Sequence, residues 1–285
     1  MAGCLIKIME AMDSLTPSER KIAHIILNYS DEVIGMSIKE IAEKSNTSKA
    51  AVIRLCKTLK YKGYRDFAIS LASDVASQKV EENTYTDIKA GDDLDTIIKN
   101  VCHINKKSID DTFMVLDAQE VGKAVNTIHK AKRIDFYGVG ASGVIALDAQ
   151  QKFMRINKYS NAFSDIHLQL TAAANMSKGD VAVIISYSGE TKDVIDTMLA
   201  AKQSGATIIS ITKYGENTLS KAADIKLFLS SPETTMRSGA MGSRIAQLNI
   251  IDIIFSGVAS IEYQYIKKYL DRTHKVTALK KLNRY

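Results

Sequence analysis

The spacing of apolar positions along this chain changes character between its first third and its second half. Over residues 1–77 apolar side chains recur at helical spacing. Leu15-Thr-Pro-Ser-Glu-Arg-Lys21 has the marks of a helix start: Thr16 as cap, Pro17 at the first position and Glu19 three residues past the cap. A packing helix over Glu19–Tyr29 follows from it. Ile38–Lys44 places Ile38, Ile41 and Ala42 on one side of a short helix, and Ser45-Asn46-Thr47 breaks it. Thr47 or Ser48 can cap the next helix, Lys49–Leu59, whose inner side is Val52, Ile53, Leu55, Cys56 and Leu59. Phe67–Val75 reads as a closing helix.

Residues 78–127 are a connection. Gln78–Asp93 is polar, lacks periodicity and reads as an exposed linker, and Leu94–Ile109 and Asp117–Lys130 are amphipathic helices. From Arg133 onward strands and helices alternate. The predicted strands are Arg133–Tyr137, Lys158–Phe163, Asp180–Ile185, Ala206–Thr212 and Ile225–Ser230. Between them lie helices over Ser142–Arg155, Asp165–Asn175, Thr191–Ser204 and Asn217–Ala223, and a long helix over Ser243–Ile266 closes the series. This alternation predicts an α/β domain with a five-stranded, doubly wound parallel sheet, behind an all-α N-terminal domain. Strand order 2-1-3-4-5 would put the loops after strands one and three at one topological switch point, where open α/β sheets bind ligands.

Those two loops carry the candidate chemistry. Val181–Ile185 runs into Ser186-Tyr-Ser-Gly-Glu-Thr191, and a helix starts at once. The hydroxyls of Ser186, Ser188 and Thr191 then sit at a helix N-terminus, whose unpaired N–H groups and dipole favour a phosphate. The loop after strand one, Gly138-Val-Gly140-Ala-Ser-Gly143, also fits the dinucleotide fingerprint, with Asp165 near the end of strand two as a ribose-binding acid. A dinucleotide would leave the hydroxyl loop without a role.

In the first domain, two short helices joined by a tight turn match a helix–turn–helix. Small residues at the start of the second helix let its backbone approach base edges, and Lys and Arg reach phosphates. The candidate DNA contacts are Thr47, Ser48, Lys49, Ala50, Arg54, Lys57 and Lys62. Charge supports this reading. The chain is +6 overall, and Lys44–Arg65 holds seven basic residues and no acid. Tyr61-Lys-Gly-Tyr64 reads as a wing or turn touching the backbone. Residues 268–285 form a basic tail.

Other chemistries find no support. Three scattered cysteines predict neither a disulfide framework nor a zinc site, and five histidines show no metal-ligand spacing. No cofactor is called for. The absence of an uninterrupted apolar run of spanning length, and of a signal peptide at the start, points to a cytoplasmic protein with no membrane partner.

Taken together, KAAVIRLCK (Lys49–Lys57), YKGY (Tyr61–Tyr64), GVGASG (Gly138–Gly143), DAQQK (Asp148–Lys152), SYSGET (Ser186–Thr191) and SRIAQL (Ser243–Leu248) resemble the RpiR family of bacterial transcriptional regulators. That family joins a helix–turn–helix domain to a sugar-isomerase (SIS) domain, which the resemblance places at 128–267 here. The chain looks most similar to the MurR-like branch, regulators of amino-sugar use that respond to N-acetylmuramic acid 6-phosphate. The resemblance implies that Ser142, Ser186, Ser188 and Thr191 hold a sugar phosphate, with Gly140 and Gly189 allowing close backbone approach. It places Glu190 against a sugar hydroxyl or on a solvated helix start, and Arg244 and Gln247 where SIS enzymes hold reacting or ring-contacting groups, with core packing or a subunit contact as the other role open to both. No catalytic Glu or Lys stands there, which argues against an enzyme. The implied protein is a homodimer or homotetramer on a near-palindromic operator, with repression relieved by a phosphorylated sugar. A sugar-phosphate isomerase or etherase, and an NAD(H)-sensing regulator, are the alternatives.

Overall fold

A computed structural model describes residues 3–12, 14–78, 91–231 and 240–278. Most of the linker over Gln78–Asp93, and Lys280, Lys281 and Arg284 of the basic tail, lie outside the described residues. The chain divides into two compact units: Met1–Val115 with Lys213–Glu216 and Ser230–Gly242, and the remainder.

The first unit contains helices α1 (Cys4–Ala11), α2 (Pro17–Asn28), α3 (Ser30–Val33), α4 (Ile38–Lys44), α5 (Lys49–Thr58), α6 (Tyr64–Gln78) and α7 (Leu94–Val115). Local sequence accounts for most of their ends. The Glu19 carboxylate accepts the Thr16 amide (3.0 Å) and hydroxyl (2.6 Å) at the start of α2. Ser37 and Glu40 form a reciprocal capping box on α4. The turn leaving α4 is a Schellman motif: Asn46 is left-handed (φ 49°), its N–H donates to Glu43 O, and Thr47 N–H donates to Ala42 O. Ser48 then caps α5 through Ala51 N–H at 3.2 Å. The core gathers Ile8, Ile22, Ile26, Ile41, Leu55, Leu59, Phe67 and Leu71.

The pattern misassigned several details here. It did not predict α1 or α3, and α7 runs six residues past Ile109. Ile53, expected inside, is 40% exposed, because Val52, Leu55, Cys56 and Leu59 already complete the inner face of α5. Tyr61–Tyr64 is a turn but no wing. The Tyr61 ring is buried edge-on against Phe67 at 5.5 Å, and the Tyr64 hydroxyl donates to Met36 O, so both aromatic rings serve the core.

The second unit begins with α8 (Ala118–Lys130), capped by Asp117. It continues through β1 (Ile134–Tyr137), α9 (Ala141–Arg155), β2 (Ser160–Ala162), α10 (Ile166–Ala174), β3 (Val181–Ile185) and α11 (Lys192–Gln203). Next come β4 (Thr207–Lys213), α12 (Thr218–Ala222), β5 (Ile225–Leu229), α13 (Met241–Ile261) and α14 (Tyr263–Ala278). The strands order β2-β1-β3-β4-β5, and the pairings of β1 with β2, β1 with β3 and β3 with β4 are parallel, as expected for a doubly wound sheet. One face packs Phe136, Val183 and Ile209 with helix residues including Phe153 and Ile254. The other packs Tyr137, Ile184 and Ile208 with Val194 and Met198.

The single long helix expected over Ser243–Ile266 is two helices. By length and composition α13 could span a membrane, a property the sequence reading overlooked. Its Ala246, Ile250, Ile251, Ile254 and Val258 lie in the core of this unit, where an apolar helix is also required.

Asp135 is a buried carboxylate in the middle of β1 with all its hydrogen-bonding capacity engaged. It accepts Arg133 Nε (2.9 Å) and Nη2 (2.6 Å), Asn161 Nδ2 (2.9 Å) and the Tyr137 hydroxyl (2.7 Å). Burial, with the Asp135 charge beside it, pushes the Tyr137 phenol well above its usual range. Asp135→Ala would take the acceptor from the Tyr137 hydroxyl and the Asn161 amide and the counter-charge from Arg133, which keeps only the Asn175 and Ala172 carbonyls. It is expected to cost about 3–5 kcal/mol, read as the urea midpoint of the second unit. A loss below about 1 kcal/mol would show that the pair contributes nothing.

Candidate functional site

The sheet order brings the two loops side by side. Strands β1 and β3 pair through Tyr137↔Ile184, and each loop begins within two residues of that pair. At Gly138 a Cβ would come within 2.8 Å of Ser142 O and 3.1 Å of Ile185 O, the carbonyl just ahead of Ser186. Only glycine permits this approach, so the loops touch at backbone level. Gly140 is exposed with φ +56°.

Ser142 is half-buried, and its hydroxyl accepts Nε2 of Gln247 at 3.1 Å; Gln247, on α13, is 2% exposed. The structure thus joins these two predicted residues. Ser186 is buried, its hydroxyl 3.3 Å from that of Thr191 and accepting the Gly189 N–H at 3.3 Å. Ser188 accepts the Glu190 N–H at 3.2 Å. Thr191 is the N-cap of α11 yet makes no side-chain cap bond, so its hydroxyl faces the loop rather than the helix amides. Arg244 stands exposed near the start of α13, with no hydrogen-bond or ion-pair partner among the described residues.

Glu190 turns elsewhere. Its carboxylate oxygens accept the amide (2.8 Å) and hydroxyl (2.7 Å) of Thr218. Gly189 is fixed on the same side. Its φ is +70°, a Cβ on it would fall 2.1 Å from Asn217 Oδ1, and its carbonyl accepts the Leu219 N–H at 3.2 Å. Sequence reasoning missed Asn217, Thr218 and Leu219. Their only sequence signal was a helix start, which says nothing about the loop they hold. Asp165, the possible ribose acid, caps α10 through Leu168 N–H at 2.9 Å.

The candidate nucleic-acid face lies on α5. Ser48, Lys49, Ala50, Arg54, Lys57 and Lys62 are exposed, and the half-buried Thr47 bonds the Ser45 hydroxyl at 2.8 Å. Buried Glu19 lies behind the face. Burial alone would raise its carboxyl, but bonds from Thr16 and Thr58 and the nearby Arg54 charge outweigh that and hold it below the usual range. A backbone N-terminus flanked by small residues, with cations along one side, suits a major groove.

Comparison with known proteins assigns a family model to each domain of the chain. A helix-turn-helix domain model of the rpiR family matches residues 2–78, and the SIS domain model matches residues 127–257. An HTH-type transcriptional regulator of Caldanaerobacter subterraneus subsp. tengcongensis is 46% identical, over 99% of this chain and all of the relative. HexR of Escherichia coli is 33% identical, over 89% of this chain and 86% of HexR. The solved structure of the Vibrio vulnificus NanR protein complexed with ManNAc-6P aligns with a TM-score of 0.63 and 28% identity, covering 98% of this chain and all of that one.

Fold and relatives therefore define an HTH-type transcriptional regulator that carries a SIS domain. The chain belongs to the RpiR family of HTH-type regulators.

Proposed function

We propose that this protein is a cytoplasmic repressor of carbohydrate catabolism genes. It binds a near-palindromic operator as a homodimer or homotetramer and releases it when a phosphorylated amino sugar occupies the loops after β1 and β3. N-acetylmuramic acid 6-phosphate is the leading effector. The observation that carries this reading is the backbone contact between the Gly138–Gly143 loop and the start of the Ser186–Thr191 loop, whose hydroxyls lie at the N-terminus of α11, which Thr191 leaves uncapped. Likeness over 98% of this chain to the NanR structure complexed with ManNAc-6P supports an amino-sugar phosphate.

Two observations weigh against the alternatives. Asp165 commits its Oδ1 to the Leu168 N–H as the cap of α10, a structural role that accounts for this acid without a dinucleotide ribose. Gln247 and Arg244 offer neither a carboxylate nor an amine for isomerase chemistry. A thermal-shift screen tests the reading. At about 100 times Kd, N-acetylmuramic acid 6-phosphate or N-acetylmannosamine 6-phosphate is expected to add about 2.7 kcal/mol and roughly 5–10 °C to Tm. Stabilisation by NAD(H) with none from sugar phosphates, or turnover of the sugar, would overturn it.

A further inference from the structure

One stretch of seven residues, Lys213–Leu219, grips the candidate effector loop at one end and the first helix of the chain at the other. At its C-terminal end, Asn217 blocks the side of Gly189, Thr218 holds both oxygens of Glu190, and Leu219 holds the Gly189 carbonyl. Asn217 is itself immobilised. It is buried, its Nδ2 donates to Thr212 Oγ1 at 3.1 Å, and its Oδ1 accepts Ser220 N–H at 2.8 Å. The Ser188-Gly189-Glu190 turn therefore cannot shift without moving the first turn of α12 or breaking these bonds.

The boundary between the two compact units falls between Glu216 and Asn217. The four residues before it, Lys213–Glu216, group with the first unit. There Gly215 packs on α1: a Cβ on Gly215 would lie 3.4 Å from the Glu10 carbonyl oxygen. The same helix is held from its side chain, since Glu10 Oε1 accepts the Ser230 hydroxyl at 2.8 Å. The N-terminus of α1 is anchored in the helix–turn–helix bundle, where Asp74 of α6 accepts the amides of Gly3 (2.6 Å) and Leu5 (2.9 Å). Covalent continuity joins these grips, and consecutive Cα atoms keep a fixed separation of about 3.8 Å.

We infer that Lys213–Leu219 transmits effector occupancy to the DNA-binding bundle, with Thr218 as the positioning residue that ties the effector loop to it. This rests on the reading of Ser186–Thr191 as the effector site. A phosphate that recruits the Ser188 hydroxyl and the neighbouring amides changes the turn carrying Glu190. The carboxylate carries the first turn of α12 with it, and residues 213–216 pass the displacement to α1. Coupling of this kind needs differential affinity for two states, and it is reciprocal.

Thr218→Pro tests the inference. It removes both donors to Glu190 while suiting α12, because residue 218 is the first helical position and Asn217 before it is already extended (φ −141°, ψ 170°). The probe is N-acetylmannosamine 6-phosphate, with operator affinity read by fluorescence anisotropy and effector affinity by calorimetry. In the wild type the effector should weaken operator binding about 5- to 150-fold. In Thr218→Pro the response should fall below about twofold, effector Kd should stay within about threefold, and operator DNA should no longer change that Kd. Thr218→Val keeps the amide bond and should lie between the two, which leaves a readout if the proline variant does not fold. A folded variant at 218 that binds the probe and keeps the full wild-type response overturns the inference. A wild type that fails to bind the probe overturns the effector-site reading first, and the inference with it.

Discussion

Raising monovalent salt from 50 to 200 mM is expected to weaken operator binding by roughly 10³–10⁵-fold. Lys49, Arg54, Lys57, Lys60, Lys62 and Arg65 are all exposed on α5 and the residues that follow it, and no acid interrupts the run from Ser45 to Arg65. Each phosphate neutralised by such a cation releases condensed counterions, so the logarithm of affinity falls with slope about −0.9 per contact on B-DNA. About six to ten contacts give the range stated. Arg54→Ala with Lys57→Ala should reduce the slope by about 2 and weaken binding across all sequences, if both cations contact phosphate. Both side chains are exposed, so stability should stay within about 0.5 kcal/mol of the parent. A gel shift or anisotropy titration at four salt concentrations reads all of this. A flat response would remove groove docking by α5.

Replacing Ser188 and Thr191 together by Ala is expected to abolish the effector response and leave operator binding intact. A hydrogen bond to a charged group contributes about 1.5–3 kcal/mol, so losing two should weaken effector binding roughly 10²–10⁴-fold. The fold should tolerate the change. Among the described residues Ser188 accepts only the Glu190 amide at 3.2 Å, and Thr191 meets only the Ser186 hydroxyl at 3.3 Å, so no buried charge is stranded. Ser186→Ala is less clean, because Ser186 is buried and holds the Gly189 amide. Calorimetry with a sugar phosphate and anisotropy with the operator separate the two effects. Loss of operator binding without effector would show that the two sites are not separable. Unchanged effector affinity would remove the phosphate from this loop.

Much of the architecture was readable from short-range chemistry. Thr16, Pro17 and Glu19 mark the start of α2, and Ser48 marks that of α5. The alternation of strands and helices from Ile134 to Leu229 predicts a parallel sheet, and the observed order β2-β1-β3-β4-β5 is the one under which Gly138–Gly143 and Ser186–Thr191 share a switch point. All of these signals act between residues a few positions apart, through caps, periodicity and turn chemistry.

Tertiary structure decided the rest. Helix α1 has no cap of its own and escaped notice, since its N-terminal amides are satisfied by Asp74, up to 71 positions away. Glu190 was as consistent with a sugar hydroxyl as with solvent until folding set it on Thr218, 28 positions on. Ser142 gained Gln247 across 105 positions. The sequence by itself determined most of the elements, their succession along the chain and which loops bear hydroxyls. Only the folded chain decided which partner each polar side chain took, because a side chain's final hydrogen bond is a competition among every group the packing brings within about 3 Å. The composition of that set is invisible until distant segments have met.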